Sequence, residues 1–304
     1  MNNKTAAIVV TYNRKELLVK NIKTLLNQTC KDVLDIHIID NASTDGTRDY
    51  IDTYVSGGDV FYHNTGENLG GAGGFNFGIK IATELGYGTI WILDDDTLPS
   101  PTALERLRKK DEEYGDSYGF LSSKVLWKNK KICTMNIQKE TKWRRLKRFD
   151  VQKPIQYASF VSLFLRTDTV RTIGLPYKEF FIWADDWEYT RRISKTKKCY
   201  YVPESVVYHW CGSNVGANII SAPEDRIDRF NYMYRNDVVL YRQDGIEGWI
   251  YLWVRNCIHA VRVLLKAENK KEKLKIIINA TKEGKKFYPL IEYPGKEQLI
   301  VETK

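Results

Sequence analysis

Three consecutive carboxylates, Asp94, Asp95 and Asp96, close the apolar run Thr89 to Leu93 and are followed by Thr97-Leu98-Pro99-Ser100. Side chains alternate faces along extended backbone, so Asp94 and Asp96 can point together while Asp95 points across. Adjacent like charges need a positive neighbour, and Mg²⁺ or Mn²⁺ held by oxygen ligands and bridging to a diphosphate would supply one. A solvated acidic cap on a helix beginning after Pro99 accounts for the same triplet. A second acidic group, Asp185-Asp186-Trp187-Glu188, follows the aromatic run Phe180 to Trp183 and opens a helix carrying Arg191, Arg192 and Ile193. A carboxylate there is held by the helix dipole and shielded from bulk water, as a general base should be. His209 ends the alternating run from Tyr200, where a lone histidine is more often a core or surface residue than a ligand.

The pattern of apolar runs and polar loops indicates what must hold these groups. Ala6 to Val10 reads as a strand ending at Thr11-Tyr12-Asn13-Arg14, after which Leu17, Leu18, Ile22, Leu25 and Leu26 recur at helical spacing. Asp35 to Asp40 repeats the motif, ending in Asn41-Ala42-Ser43-Thr44-Asp45-Gly46-Thr47, where Ser43 or Thr44 caps a helix with Tyr50, Ile51 and Tyr54. Val60 to His63 runs into Asn64 to Gly74 and a helix over 75–85, and the acidic strand follows, with Pro99 ending its extension. Strands alternating with helices argue a parallel α/β sheet, whose ligands lie outside the strands' carboxyl ends. Every polar loop above falls on that edge.

The glycines at 70, 71, 73 and 74 lack the Gly-x-Gly-x-x-Gly order directly after a first strand, which excludes a nicotinamide dinucleotide site. They still let backbone N–H groups approach an anion or sugar, with Asn68 reading a polar edge; a tight loop holding nothing is the plainer alternative. Beyond a helix over 100–114, strands over 119–127, 131–137 and 155–166 begin a mixed half. The last hundred residues read as helices over 223–243, 246–266 and 270–286. In the middle one Trp249, Ile250, Trp253, Val254, Ile258, Val261 and Leu265 make a wide apolar face, expected to pack on the core, with contact to a membrane surface as the alternative.

With 304 residues, 43% of them hydrophobic, the chain can bury a substantial core. Its start is polar, no secretory signal is apparent, and no run of eighteen uncharged apolar residues occurs. Five irregularly spaced cysteines fit neither a zinc site nor a disulfide framework and suggest a reducing cytoplasm. The formal charge of +9 has an address: residues 124–153 hold eleven Lys and Arg against two acids. Nucleic acid, anionic lipid or a phosphorylated substrate could meet it.

Taken in order, Val9 to Arg14, Ile39 to Thr47, Glu67 to Phe75 and Asp94-Asp95-Asp96 resemble the GT-A glycosyltransferases of family 2, in particular the branch of bacterial galactofuranosyltransferases and rhamnosyltransferases. The resemblance implies an α/β GT-A fold, with a Rossmann-like nucleotide-binding half and a mixed central sheet, over 1–215, and a C-terminal helical region over 216–304. It implies that Thr11, Asn13, Arg14, Asp40, Asn68, Gly70 and Gly71 line the donor nucleotide pocket. Asp94, Asp96 and His209 would bind Mn²⁺ or Mg²⁺, with Asp95 facing the donor ribose or sugar. Asp185-Asp186-x-Glu188-Tyr189 matches a family segment, making Asp186 the base and placing Asp185, Trp183, Glu188 and Phe160 towards the acceptor. The chain departs from that branch at Tyr157 to Ser162, where tryptophans are expected, and at Ala184, between Trp183 and the acids.

The resulting expectation is inverting, single-displacement transfer. The sugar would be galactofuranose from UDP-galactofuranose, with rhamnose from dTDP-rhamnose as alternative, and the acceptor a hydroxyl of a cell-surface polysaccharide or lipid-linked glycan. The location expected is cytoplasmic, peripheral on the inner face of the membrane if the basic stretch meets anionic lipid. A nucleic-acid-binding module is disfavoured, because acids at the crevice would repel phosphate and such a module leaves them unexplained.

Overall fold

The computed structural model describes residues 2–295. Its first half comprises β1 (Asn2–Thr11), α1 (Lys15–Leu26), β2 (Leu34–Asp40), α2 (Thr47–Tyr50), α3 (Asp52–Ser56), β3 (Phe61–Asn64), α4 (Gly70–Glu84) and β4 (Tyr87–Asp94). Then come β5 (Thr97–Pro99), α5 (Ala103–Tyr114), β6 (Tyr118–Trp127), the hairpin strands β7 (Lys139–Thr141) and β8 (Arg144–Arg145), β9 (Lys153–Pro154) and β10 (Leu163–Arg166). The chain continues through α6 (Thr167–Ile173), α7 (Asp185–Ser194), β11 (Lys198–His209), α8 (Glu224–Ile227), α9 (Arg229–Arg242), α10 (Gly245–Lys266) and α11 (Lys270–Lys286). Nine strands form one mixed sheet in the order β3-β2-β1-β4-β10-β6-β11-β5, with β9 paired to β11. The first four are parallel, β10 runs against both its neighbours, and β6 and β11 are parallel again.

The parallel half is covered on both faces, which is why its strands read as unbroken apolar runs. Ala6 and Ile8 join Phe75 and Ile79 of α4 on one side. Ala7 and Val9 join Leu18, Ile22 and Leu25 of α1, and Leu104 and Leu107 of α5, on the other. Helix α4 begins at Gly70, inside the glycine cluster and before the expected residue 75, because its glycines let it sit against the sheet. A Cβ on Gly74 would lie 2.6 Å from Val10 Cγ1, and one on Gly78 would collide with Ile8 and Ile39. Gly78→Ala should therefore destabilise the fold by about 1–3 kcal/mol through overpacking, measured by denaturant unfolding.

A buried polar chain ties β2 to β3 and β4. His37 Nδ1 lies 3.0 Å from His63 Nε2, His37 Nε2 lies 3.0 Å from the Tyr87 hydroxyl, and that hydroxyl donates to Asp35 Oδ2 at 2.8 Å. Burial first, and then His63, lowers the His37 imidazole to about 4, against 6.5 for a free one. The folded-state value is the lower, so the stability it contributes is complete above pH 6.5 and is lost as pH falls towards 4. Chemical denaturation should lose about 3 kcal/mol across that window through His37, and His37→Gln should flatten the slope.

Several expectations are corrected. Ser43 and Thr44 do not cap the helix after β2; Asp45 Oδ1 accepts from the Thr47 amide at 3.1 Å instead. Residues 131–137 form no strand, only one bridge from Ile132 to Leu126 and a 3₁₀ turn over Thr134–Asn136, since Asn136 is drawn to His209. The strand expected over 155–166 is confined to Leu163–Arg166, behind a 3₁₀ turn at Phe160–Ser162. The acidic strand does not run unbroken to Pro99: β4 stops at Asp94, and after a turn over 95–96 a separate edge strand, Thr97–Pro99, pairs antiparallel with β11 and ends at Pro99, where its missing N–H is tolerated. The apolar face of α10 is not core. The helix packs inward through Leu252 and Val263 and through polar contacts, Asn256 to Thr281 at 3.0 Å and His259 to Tyr234 at 2.8 Å, leaving Trp253, Val261 and Leu265 exposed.

Candidate active site

A crevice of about 640 Å³ opens at the carboxyl ends of β1 and β4. It is walled by the start of α4, the segment Phe181 to Asp185 and the first residues of α9. The β5–β11 pairing sets His209 opposite Thr97, and the Trp210 amide donates to the Asp96 carbonyl at 2.8 Å. One ligand atom each from Asp94, Asp96 and His209 consequently lies within 4.8 Å of the other two. Asp96 Oδ1 is buried, facing His209 Nε2 at 3.0 Å. Two carboxylates and an imidazole nitrogen converging on one point are a donor set that fits a small divalent cation. His209 Nδ1 sits 2.8 Å from Asn136 Oδ1, an acceptor that keeps the proton on Nδ1 and leaves Nε2 to ligate.

Asp95 turns the other way, accepting from Thr11 Oγ1 at 2.8 Å and Arg14 at 2.9 Å, while Arg14 reaches Asp96 Oδ2 at 2.9 Å with its second arm. Burial drives the Asp94 carboxyl up and the Asp95 carboxyl to about 7. Burial acts on Asp96 in the same sense, but His209 and Arg14 outweigh it and hold that carboxyl below the usual range. His209 is pushed in the opposite direction, its charged form favoured by Asp96 despite burial. Arg14 is the fixed positive member of this cluster, and a cation at His209 Nε2 would take the place of a proton there.

The far wall carries the second acidic pair. Asp185 lines the crevice, and Asp186, next to it at the start of α7, accepts from the Trp187 amide at 2.7 Å. Burial raises both carboxyls first; the charges of Asp94 and Glu188 add to it at Asp185, and those of Asp185 and Asp94 add to it at Asp186. The backbone leading into them is held in a sparsely populated conformation, with φ of 62° at Phe181 and 65° at Trp183 and Ala184. Buried Asn236 of α9 fastens it, its Nδ2 lying 3.0 Å, 3.1 Å and 3.0 Å from the carbonyls of Phe180, Ile182 and Trp183. The same loop meets the glycines: Ala72 N donates to the Phe181 carbonyl at 3.1 Å, and a Cβ at Gly70 would collide with that carbonyl.

Residues 6–173, more than half of the chain, match the family model for glycosyl transferase family 2. This chain belongs to glycosyltransferase family 2. The galactofuranosyltransferase GlfT1 of Mycolicibacterium smegmatis is 28% identical over 286 residues, spanning 84% of this chain and 92% of that protein. A GalNAc(5)-diNAcBac-PP-undecaprenol beta-1,3-glucosyltransferase of Campylobacter jejuni is 32% identical over 118 residues, 38% of this chain and 37% of that protein. Among solved structures, S. aureus TarS 1-349 superposes with a TM-score of 0.57 at 15% identity, covering 91% of this chain and 71% of that one. Its complex with UDP-GlcNAc gives 0.54 at 15% identity, covering 93% and 73%. The TarS likeness shows the GT-A fold, and membership of family 2 makes the protein a glycosyltransferase.

Of the residues marked in its sequence, the glycosyltransferase brings Thr11, Arg14, Asn68, Gly70, Gly71, Asp94, Asp95, Asp96, Trp183, Asp185 and His209 to the crevice. Gly71 has open space where a side chain would stand. Asp186 stands beside Asp185 without lining the crevice, and four others are engaged elsewhere. Asp40 is buried, accepting from the Ser43 amide at 2.8 Å and the Tyr62 hydroxyl at 2.7 Å. Asn13 buttresses the neighbouring loop, its Oδ1 accepting from the Thr44 amide at 2.7 Å. Glu188 is paired with Arg192 one turn along α7 at 2.9 Å. Phe160 packs edge-on behind Phe75, centroids 4.9 Å apart, and Phe75 is the ring that reaches the crevice.

Other lining residues carried no mark. Asn41, next to Asp40, donates to the Gly70 carbonyl at 2.9 Å and keeps Oδ1 buried without a partner. Its place at a strand's carboxyl end was a usable signal. Arg229 and Tyr232 enter from α9, where helical periodicity gives no hint of a ligand site. Cys133 and Cys211, set aside on spacing, gather within 4.8 Å of His209 on its far side, with Cys133 donating to Asn136 Oδ1 at 3.1 Å.

Proposed function

We propose that this family 2 enzyme is a metal-dependent inverting glycosyltransferase. It moves galactofuranose from UDP-galactofuranose to a hydroxyl of a cell-surface polysaccharide or lipid-linked glycan. The observation that carries the reading is the convergence of Asp94, Asp96 and His209 at the crevice floor, across from the Asp185–Asp186 pair. The galactofuranosyltransferases that align over most of the chain support the sugar, and dTDP-rhamnose remains the alternative donor. The TarS complexes with UDP and UDP-GlcNAc support a uridine nucleotide on this fold.

Mn²⁺ or Mg²⁺, held by Asp94, Asp96 and His209, would supply Lewis-acid stabilisation of the charge that develops on the departing diphosphate. Thr11 and Arg14 orient Asp95 at the same edge, and Arg14 places a fixed positive charge there. Gly71 leaves room for close approach of the donor, Gly70 lets the loop at Phe181 close against α4, and Tyr232 and Arg229 shape the entrance from α9. Asp186 takes the proton of the acceptor hydroxyl, with Asp185 and Trp183 positioning the acceptor. With one such base and no second carboxylate placed as nucleophile, displacement is single and the anomeric centre inverts. A second reading exchanges the two acids, since Asp185 and not Asp186 lines the crevice.

The test is thermal stabilisation by UDP, dTDP, UDP-galactofuranose and dTDP-rhamnose, each with and without Mn²⁺ or Mg²⁺, followed by transfer from the best donor to a galactan acceptor. Metal-dependent stabilisation by uridine nucleotides and transfer of galactofuranose are expected. Stabilisation by thymidine nucleotides alone would replace the sugar, and indifference to metal would end the metal-dependent account.

A further inference from the structure

Helix α10 carries its apolar side outward. Of its 22 residues only Gly248, Leu252 and Val263 are buried, whereas Ile246 is 81%, Trp253 69% and Leu265 73% exposed. With Trp249, Ile250, Val261 and Leu264 these recur at helical spacing along about 29 Å of helix, one uncharged stripe but for Glu247 at its start. Scattered surface hydrophobics are ordinary, but a stripe of this length marks contact with something apolar.

The charges beside it are arranged. On α11, Lys271, Lys275, Ile278, Lys282 and Lys285 follow one another at steps of four and three, so they share one side of the helix, and all are exposed. Ile278 and Lys285 line a groove of about 320 Å³ together with Trp249 and Trp253, which places this lysine row alongside the apolar stripe. Glu272 and Glu283 are off that side, and Glu283 faces Arg235 of α9 at 3.8 Å. At the other end the basic β7–β8 hairpin is fastened to α10. Trp143 meets the Tyr251 ring at 4.6 Å, and Lys142 Nζ lies 3.1 Å from both Asp244 and Glu247. Exposed Arg144 and Arg145 are thereby held beside the start of the stripe.

We propose that α10, α11 and this hairpin form the face by which the protein docks on an anionic phospholipid bilayer. In this arrangement α10 lies in the plane of the interface, Trp249 and Trp253 sit at headgroup level, and the lysine row and hairpin arginines meet anionic headgroups. Among the described residues no helix is long and apolar enough to cross a membrane, so the face rests on the surface. A second copy is the weaker occupant, because pairing the stripe across a two-fold axis would bring two lysine rows together. The inference stands apart from the choice of sugar and would give bilayer access to a lipid-linked acceptor.

Sedimentation of the full chain with phosphatidylcholine vesicles, with and without phosphatidylglycerol, tests this at low and high salt. The protein should sediment with the anionic vesicles, less at high salt. Changing Lys271, Lys275, Lys282 and Lys285 together to Gln should weaken that binding about a hundredfold or more. Trp253→Glu with Leu265→Glu should leave the protein in the supernatant at either salt, with an unchanged unfolding midpoint because both side chains are exposed. Failure of the unaltered chain to sediment with anionic vesicles, or sedimentation indifferent to the glutamates, would overturn the proposal. So would light scattering that shows a dimer dissociated by the glutamates while vesicles stay unbound. These readouts need no sugar transfer, so an error in the donor assignment would not move them.

Discussion

Asp96→Ala should abolish metal-dependent donor binding and reduce turnover by about 10³-fold or more, the scale of the several kcal/mol that a cation contributes at a departing diphosphate. The expectation rests on how Asp96 is held. Its Oδ2 is engaged by Arg14 at 2.9 Å, and its buried Oδ1 faces His209 Nε2 at 3.0 Å. The substitution removes the negative partner of both cations, so His209 should fall back towards its neutral form while Arg14 keeps Asp95. Breaking these charge-assisted contacts should cost the fold about 1–3 kcal/mol, small enough for circular dichroism to show a folded variant. The decisive measurement is thermal stabilisation by UDP with Mn²⁺, which should vanish in Asp96→Ala and survive in Leu265→Glu, an exposed position on α10 outside the crevice. Stabilisation that persists undiminished in Asp96→Ala would remove the carboxylates from the metal site and leave Arg14 as their reason for being there.

Physical causes separate what the sequence disclosed from what it hid. Parallel strands buried on both faces must be continuously apolar, so Ala6 to Val10 and the run into Asp94 announced themselves, and with them the polar loops on their carboxyl edge. Asp94 and Asp96 do come together, but not by strand alternation, because β4 ends at Asp94 and a turn over 95–96 leads into β5. The meeting of Asp96 with His209 was hidden as well, because it is made by three residues of β5 pairing with β11, a contact between segments far apart in the chain. Asp40 and Glu188 show a second limit. A carboxylate in a motif is legible, but whether Tyr62 or Arg192 has already engaged it is a tertiary matter for the first and an i,i+4 spacing overlooked for the second. Helix α10 shows a third, since periodicity reports that a helix has an apolar face and is silent on what covers it.

Asp186→Asn should keep donor binding and lose about 10²- to 10⁴-fold in turnover, the range that a positioned general base contributes. The change is conservative where it touches the fold, because an asparagine carbonyl can still accept from the Trp187 amide as Asp186 Oδ1 does at 2.7 Å. Asp185→Asn discriminates between the two acids. If Asp185 orients the acceptor, its loss should act mainly on the acceptor KM and only modestly on kcat; if Asp185 is the base, the two variants exchange their effects. The pH profile gives a second, independent axis. Burial first, and the neighbouring Asp185 charge next, raise the Asp186 carboxyl, and the base must be ionised to act. Activity should therefore rise with pH through a limb above the ordinary carboxylate range. Asp185→Asn deletes the like charge, lowers the folded-state pKa of Asp186 and should move that limb to lower pH. A limb that stays in place in Asp185→Asn and disappears in Asp186→Asn would keep Asp186 as base while denying that the pair is coupled. A limb that disappears in Asp185→Asn alone would hand the proton to Asp185, the acid that already faces the crevice.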